Sequence, residues 1–149
     1  ASRHGLRWNP GKTQVGFITD EGEWLNVGVV NPDNSAGWNL ASEAGDKDDP
    51  RYNADGSRML YTRGLKGEVR LGERATSGAS AELIDPGMGV VSAPRWIPGK
   101  RVVYRFAPAT EAPHFIVQDA KKDAERTVLP APVEWDAGRA LILPTFIEF

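Results

Sequence analysis

The chain has 149 residues, with apolar (40%) and charged (26%) content ordinary for a globular domain and a net charge of −2 from 18 basic and 20 acidic side chains. That balance gives no electrostatic basis for a nucleic-acid or anionic-membrane partner, and no apolar run approaches the roughly 18 residues of a membrane helix. The absence of cysteine removes disulfides, thiolate metal sites and a cysteine nucleophile.

From the N-terminus, ASRHGLRW has no apolar stretch of the kind a signal peptide carries. The next stretch, GLRWNPGKT from Gly5 to Thr13, approaches a phosphate-binding loop. Five residues separate Gly5 from Gly11, however, where the pattern allows four. A repeat explains these residues instead. Trp8, Tyr52 and Trp96 stand 44 residues apart each time, each preceded by arginine (Arg7, Arg51, Arg95). Each is followed by a turn signal and an apolar run ending in Phe17, Tyr61 or Tyr104. A fourth copy, EWDAGRALILP, opens at Glu134 with Trp135 in the aromatic slot, 39 residues after Trp96. Gly11-Lys12, Asp55-Gly56, Gly99-Lys100 and Ala137-Gly138 share the turn slot, where a glycine is expected to supply positive φ.

In the first unit, strands are expected around Trp8 and at Val15–Thr19, Trp24–Val30 and Trp38–Ala41. The second unit places them around Tyr52 and at Met59–Arg63, Val69–Ala75 and Ala81–Ile84. In the third they fall around Trp96 and at Val102–Phe106, His114–Gln118 and Arg126–Leu129. The best helical candidate, Gln118–Arg126, is short and lacks an apolar stripe. Sixteen glycines and eleven prolines are spread along the chain rather than pooled in a linker. The fold class is therefore all-β, and four strands per repeat of about this length mark β-propeller blades. A single partial propeller domain is expected over 1–149, with blades near 5–48, 49–92 and 93–132 and a truncated fourth at 133–149. A blade is apolar on both faces, so Trp8, Tyr52 and Trp96 are expected to pack between neighbouring blades.

The unit seen most clearly as DPRYNADGSRMLYTR, Asp49–Arg63, resembles two groups of propeller repeats. One is the N-terminal propeller of the prolyl oligopeptidase family of serine peptidases, including acylaminoacyl peptidases. The other is the TolB-like periplasmic proteins. It differs from WD-type repeats, whose Gly-His context neither His4 nor His114 has. The peptidase resemblance implies a non-catalytic propeller that gates short peptides toward an α/β-hydrolase domain elsewhere in a cytoplasmic parent protein. The TolB resemblance implies a protein-binding scaffold in the periplasm.

The residues themselves supply no catalytic machinery. A serine peptidase of this kind needs G-x-S-x-G at a strand-to-helix turn. Ser80 lies in GASAE without the second glycine, and Ser57 lies in a hairpin turn. His4 and His114 have no activated nucleophile beside them in sequence. The acidic run Glu43–Asp49 misses the Ca²⁺-loop pattern and reads as a solvated inter-blade loop. Arg58, Arg63, Lys66, Arg70 and Arg74 interleave with Glu68 and Glu73, which suggests an ion-paired blade surface, with an anion or peptide carboxylate in the channel as the functional option. No catalytic, cofactor or metal residue is assigned. Open blade faces and strand edges lead to the expectation that the chain associates with itself, two half-rings forming a ring of six to eight blades.

Overall fold

Each of the three aligned segments folds into a four-stranded antiparallel meander. The computed structural model describes residues 2–33, 38–41, 43–78 and 81–129; the fourth unit, Trp135 and Ser80 lie outside the described residues. The first meander is β1 (Arg3–Trp8), β2 (Val15–Thr19), β3 (Asn26–Val30) and β4 (Trp38–Leu40). The second is β5 (Asp46–Tyr52), β6 (Arg58–Leu65), β7 (Glu68–Ala75) and β8 (Glu82–Ile84). The third is β9 (Gly89–Ile97), β10 (Arg101–Pro108), β11 (His114–Asp119) and β12 (Arg126–Leu129). Strands pair in chain order within each unit, and a single parallel bridge, Val69 to Val90, ties β7 to β9. No helix occurs among the described residues.

Local chemistry sets the strand ends. β3 starts at Asn26, two residues later than the apolar pattern suggests. The Asn26 amide donates to the Glu21 and Trp24 carbonyls at 3.1 and 3.0 Å, which holds Trp24 and Leu25 in the loop. β6 runs past Arg63 to Leu65 because Lys66 (φ 51) and Gly67 (φ 78) both take positive φ and close a two-residue hairpin into β7.

The meanders stack face to face, and β6 shows how. Met59, Leu60 and Tyr61 are all buried, although consecutive strand residues point to opposite faces. Met59 and Tyr61 join Ile18, Val27, Val29 and Ala41 of the first unit. Leu60 joins Leu71 and Ile84 of its own unit against Val91, Val102, Tyr104, Phe106 and Ile116 of the third. The middle unit is thus covered on both faces. In β10 strict alternation returns: Val102, Tyr104 and Phe106 are buried, while Val103 and Arg105 are not. Stacked meanders with this cyclic repeat form an incomplete β-propeller.

The aromatic slot behaves as expected twice and differently once. The Trp96 indole Nε1 donates to the Arg51 carbonyl of the preceding unit at 2.9 Å. Tyr52 packs on the first unit, where a Cβ added to Gly16 would lie 3.2 Å from its ring. Trp8 instead is exposed, because among the described residues no unit lies against its side of β1. The turn slot differs once: Gly56 (φ 76) and Gly99 (φ 86, followed by Lys100 at 58) take positive φ as expected, whereas in the first unit Lys12 (φ 55), and not Gly11, takes it. Asn9 compensates, its Oδ1 accepting from the amides of Thr13 and Gln14 at 2.8 and 3.1 Å. Asn53 repeats this with Arg58 at 2.9 Å.

All three tyrosines of the chain serve this packing. Burial pushes the Tyr104 hydroxyl, which donates to Gln118 Oε1 at 2.7 Å, up to about 12. Burial raises Tyr52 and Tyr61 further, and the Glu43 carboxylate that accepts from Tyr61 adds to the rise. A phenol whose folded pKa lies above its unfolded value of 10.0 contributes stability that is whole below that pH and is lost above it. Tyrosinate absorbance should therefore appear only together with loss of the β-sheet circular dichroism as pH rises beyond about 10. Tyrosinate formation at that pH with the sheet signal intact would contradict the packing described.

Candidate binding surface on the inner strands

The first strands of the three units converge, β5 lying against β1 on one side and β9 on the other; β1 and β5 are sheet edges, while β9 lies between β10 and β7. An edge strand exposes unpaired backbone groups and invites strand addition. Here each is interrupted at the same place. Gly5 (φ 65), Asp49 (φ 51) and Ala93 (φ 51) are spaced by the repeat and all take left-handed conformations. The pairing register slips there, between His4 and Arg7, between Asp48 and Arg51, and opposite Val103–Arg105. Such a bulge twists the edge and re-aims the side chains that follow. For Asp49 and Ala93 the left-handed backbone costs about 1–2 kcal/mol that glycine would not pay.

The residue two positions after each bulge is arginine. Arg51 is half-buried and forms an ion pair with Asp49. Arg95, more exposed, reaches the same carboxylate at 3.5 Å while its Nη1 also donates to the Pro94 carbonyl at 2.6 Å. Arg7 is exposed. Arg51 Nε is buried with no hydrogen-bond partner among the described residues. Asp48 is turned to the backbone, accepting from the Asp49 amide at 2.6 Å. The inner strands therefore carry three guanidinium groups at one repeat position, two of which, Arg51 and Arg95, share the carboxylate of Asp49. Such a surface suits an anionic group and fits a planar carboxylate well.

The acidic run is not a solvated loop. Asp46–Asp49 belongs to β5, and Lys47, which interrupts the carboxylates in sequence, is buried between the first two units. Its ammonium donates to Asn26 Oδ1 at 3.0 Å, to the Gly45 carbonyl at 2.9 Å and to the Glu43 carbonyl, so folded carbonyls take the place of water. Of the basic set, Arg58 and Arg70 are ion-paired, and not only at the surface. Arg58 grips Glu73, which is fully buried, through Nε and Nη2. Arg70 pairs with Glu68 and, at 3.2 Å, with Asp85. Arg63 donates to the Ala44 carbonyl, and Arg74 is buried.

The catalytic residue types do not converge. Ser57 is tied into its turn, its amide donating to Asp55 Oδ1 at 2.8 Å, and its hydroxyl holds that carboxyl below the usual range. His114 sets its ring edge-on to Phe106 at 5.9 Å and places Nδ1 3.0 Å from the Ala112 carbonyl. It lines a cleft of about 360 Å³ with Phe106, Thr110, Glu111, Ile116 and Arg126, and its Nδ1 is taken up by the Ala112 carbonyl rather than by Thr110 or Glu111. Arg126 there is engaged by the Pro86 and Asp85 carbonyls. His4 is exposed on β1. Among the described residues, no three His, Asp or Glu side chains stand together as a metal site.

No protein-family model matches the sequence, and no curated protein matches it. Solved structures do. A protein assigned as TolB from Agrobacterium tumefaciens superposes with a TM-score of 0.65 at 17% identity, covering 85% of this chain and 49% of that one. TolB from Acinetobacter baumannii superposes with a TM-score of 0.65 at 14% identity, covering 86% and 32% respectively. The chain thus spans about half of the first and a third of the second. At these identities the likeness establishes the fold, a TolB-like β-propeller, and nothing finer.

Proposed function

We propose that the chain is part of a protein-binding propeller scaffold whose inner strands receive an acidic segment or a terminal carboxylate of a partner. The observation that carries this reading is the arginine set Arg7, Arg51 and Arg95, delivered by one repeat position to three adjacent strands with only Asp49 paired among them. The solved TolB neighbours support a scaffold. Gating of a hydrolase domain, with short peptides as substrates, rests on the repeat's resemblance to oligopeptidase propellers alone.

Fluorescence anisotropy with a labelled glutamate-rich peptide tests it. The peptide should bind, and binding should weaken steeply as salt screens the guanidinium groups. A lysine-rich peptide of equal length should not bind. The Arg7→Ala/Arg95→Ala double variant, altered only at exposed side chains, should lose about tenfold or more in affinity, since each charge-assisted hydrogen bond is worth about 1.5–3 kcal/mol. Equal binding of both peptides, or no effect of the double variant, would remove the proposal.

A further inference from the structure

The repeat lets one position be compared across three copies of the same local structure. Asp49-Pro50-Arg51 in β5 and Ala93-Pro94-Arg95 in β9 differ only in their first residue, and Gly5 holds the corresponding place in β1. All three take left-handed backbone, and alanine takes it in β9 as aspartate does in β5. The second unit alone carries a carboxylate there, and that carboxylate serves two units. Asp49 Oδ1 pairs with Arg51 Nη2 on its own strand, while Oδ2 faces Arg95 Nη1 on β9 at 3.5 Å. It meets one nitrogen of each guanidinium and fills neither fork. Arg51 Nε stays without a hydrogen-bond partner among the described residues, and Arg95 Nη1 is shared with the Pro94 carbonyl. The arginines do not depend on Asp49 to be neighbours, because the Trp96 indole already ties β9 to the Arg51 carbonyl.

We propose that Asp49 is a built-in competitor: it occupies Arg51 and Arg95 in the free chain, and a partner's carboxylate displaces it on binding. The inference rests on the proposed capture of an acidic segment by the inner strands, and it adds the residue that sets the threshold for capture. Asp49 leaves the two arginines with one net positive charge where two would otherwise stand, and it repels the incoming anion directly. The contact is also replaceable. The Asp49 side chain is 28% exposed and that of Arg95 51%, a setting in which ion pairs are weak and water competes for them. A carboxylate that makes two parallel N–H···O bonds to the Arg95 guanidinium has the better geometry and takes the place; an anion offering a single contact gains nothing over Asp49. Asp49 therefore acts against the wrong ligand as much as the arginines act for the right one.

Anisotropy titrations of the labelled glutamate-rich peptide against wild type and Asp49→Asn test this. Asparagine keeps the shape of the side chain, tolerates the left-handed backbone and removes the charge. The variant should bind about threefold to fivefold more tightly, which is the reach of a partly exposed ion pair. Asp49→Ala copies the sequence of the third unit and should show a similar gain, with circular dichroism confirming the fold of each variant. Glu111→Gln, an equal loss of charge at an exposed residue between β10 and β11, should leave the affinity unchanged. Binding by the Asp49 variants alone would also support the competitor, since the wild-type carboxylate would then be strong enough to close the surface. Wild-type binding with no gain in either Asp49 variant, or an equal gain in Glu111→Gln, would overturn the competitor and leave the acidic-segment reading standing. No binding by any of the proteins would remove that reading and the competitor with it. Loss of the fold in both Asp49 variants would make the residue a structural tie between the units and overturn the proposal.

Discussion

Gly72→Ala should cost about 3 kcal/mol or more, upwards of a fifth of the stability of an average domain. Gly72 sits on β7 directly across from Tyr61, and a Cβ there would lie 2.3 Å from the ring's Cε2 and 2.4 Å from Cζ. The ring cannot retreat. It is fully buried in the first inter-blade core, and its hydroxyl is held by Glu43. Overpacking a closed core forces side chains off their rotamers or moves the backbone. Denaturant titration gives the magnitude, and two variants identify the cause. Gly64→Ala, whose Cβ would meet nothing nearer than the Asp46 carbonyl at 3.8 Å, should cost less than about 1 kcal/mol. Combining Gly72→Ala with Tyr61→Leu should cost clearly less than the two changes summed, because the clash disappears with the ring. Additive costs would show that glycine is needed there for another reason.

The second large effect is at Lys47. Lys47→Ala should cost about 3–5 kcal/mol, since it leaves three acceptors without their donor and opens a cavity between the first two units. Lys47→Met fills most of the volume and removes the cost of burying a charge, so its penalty should be smaller, about 2 kcal/mol. The pH dependence carries a sign. Burial is the chief cause that holds the Lys47 pKa below its ordinary 10.5, with Glu43 and Asp46 opposing and Arg63 assisting. The unfolded chain then binds the proton more tightly, so the wild type gains stability from this group as pH rises toward 10.5. The tyrosines oppose that gain above pH 10 but are common to both proteins, so the difference between wild type and Lys47→Met isolates the lysine. The methionine penalty should grow between neutral pH and about 10. A penalty that shrinks over that range would mean that the lysine is held as a stabilised cation.

Much of the fold was legible because the repeat is strong. The spacing of Trp8, Tyr52 and Trp96 set the units, and β2 and β12 run between the residues read from the apolar pattern alone. What stayed hidden has physical causes. The bulges at Asp49 and Ala93 are silent because neither residue is glycine, and only Gly5 advertises the left-handed backbone all three share. Lys47 lies among carboxylates, and its burial depends on Asn26, twenty-one residues away in a strand of another unit. Alternation fails in β6, where both faces are covered, so consecutive buried residues look the same in sequence whichever core they enter. The inner-strand arginines were visible as a repeat position. That Arg51 and Arg95 meet at Asp49 is a product of stacking, which no single unit encodes.

One measurement tests the inner surface most directly: backbone amide chemical-shift mapping as the glutamate-rich peptide is titrated in. Shifts concentrated on β1, β5 and β9 around Arg7, Arg51 and Arg95, and absent with the lysine-rich peptide, are the predicted result. Shifts that gather instead on the outer strands β4, β8 and β12, or that spread evenly over the basic residues of the second unit, would contradict it.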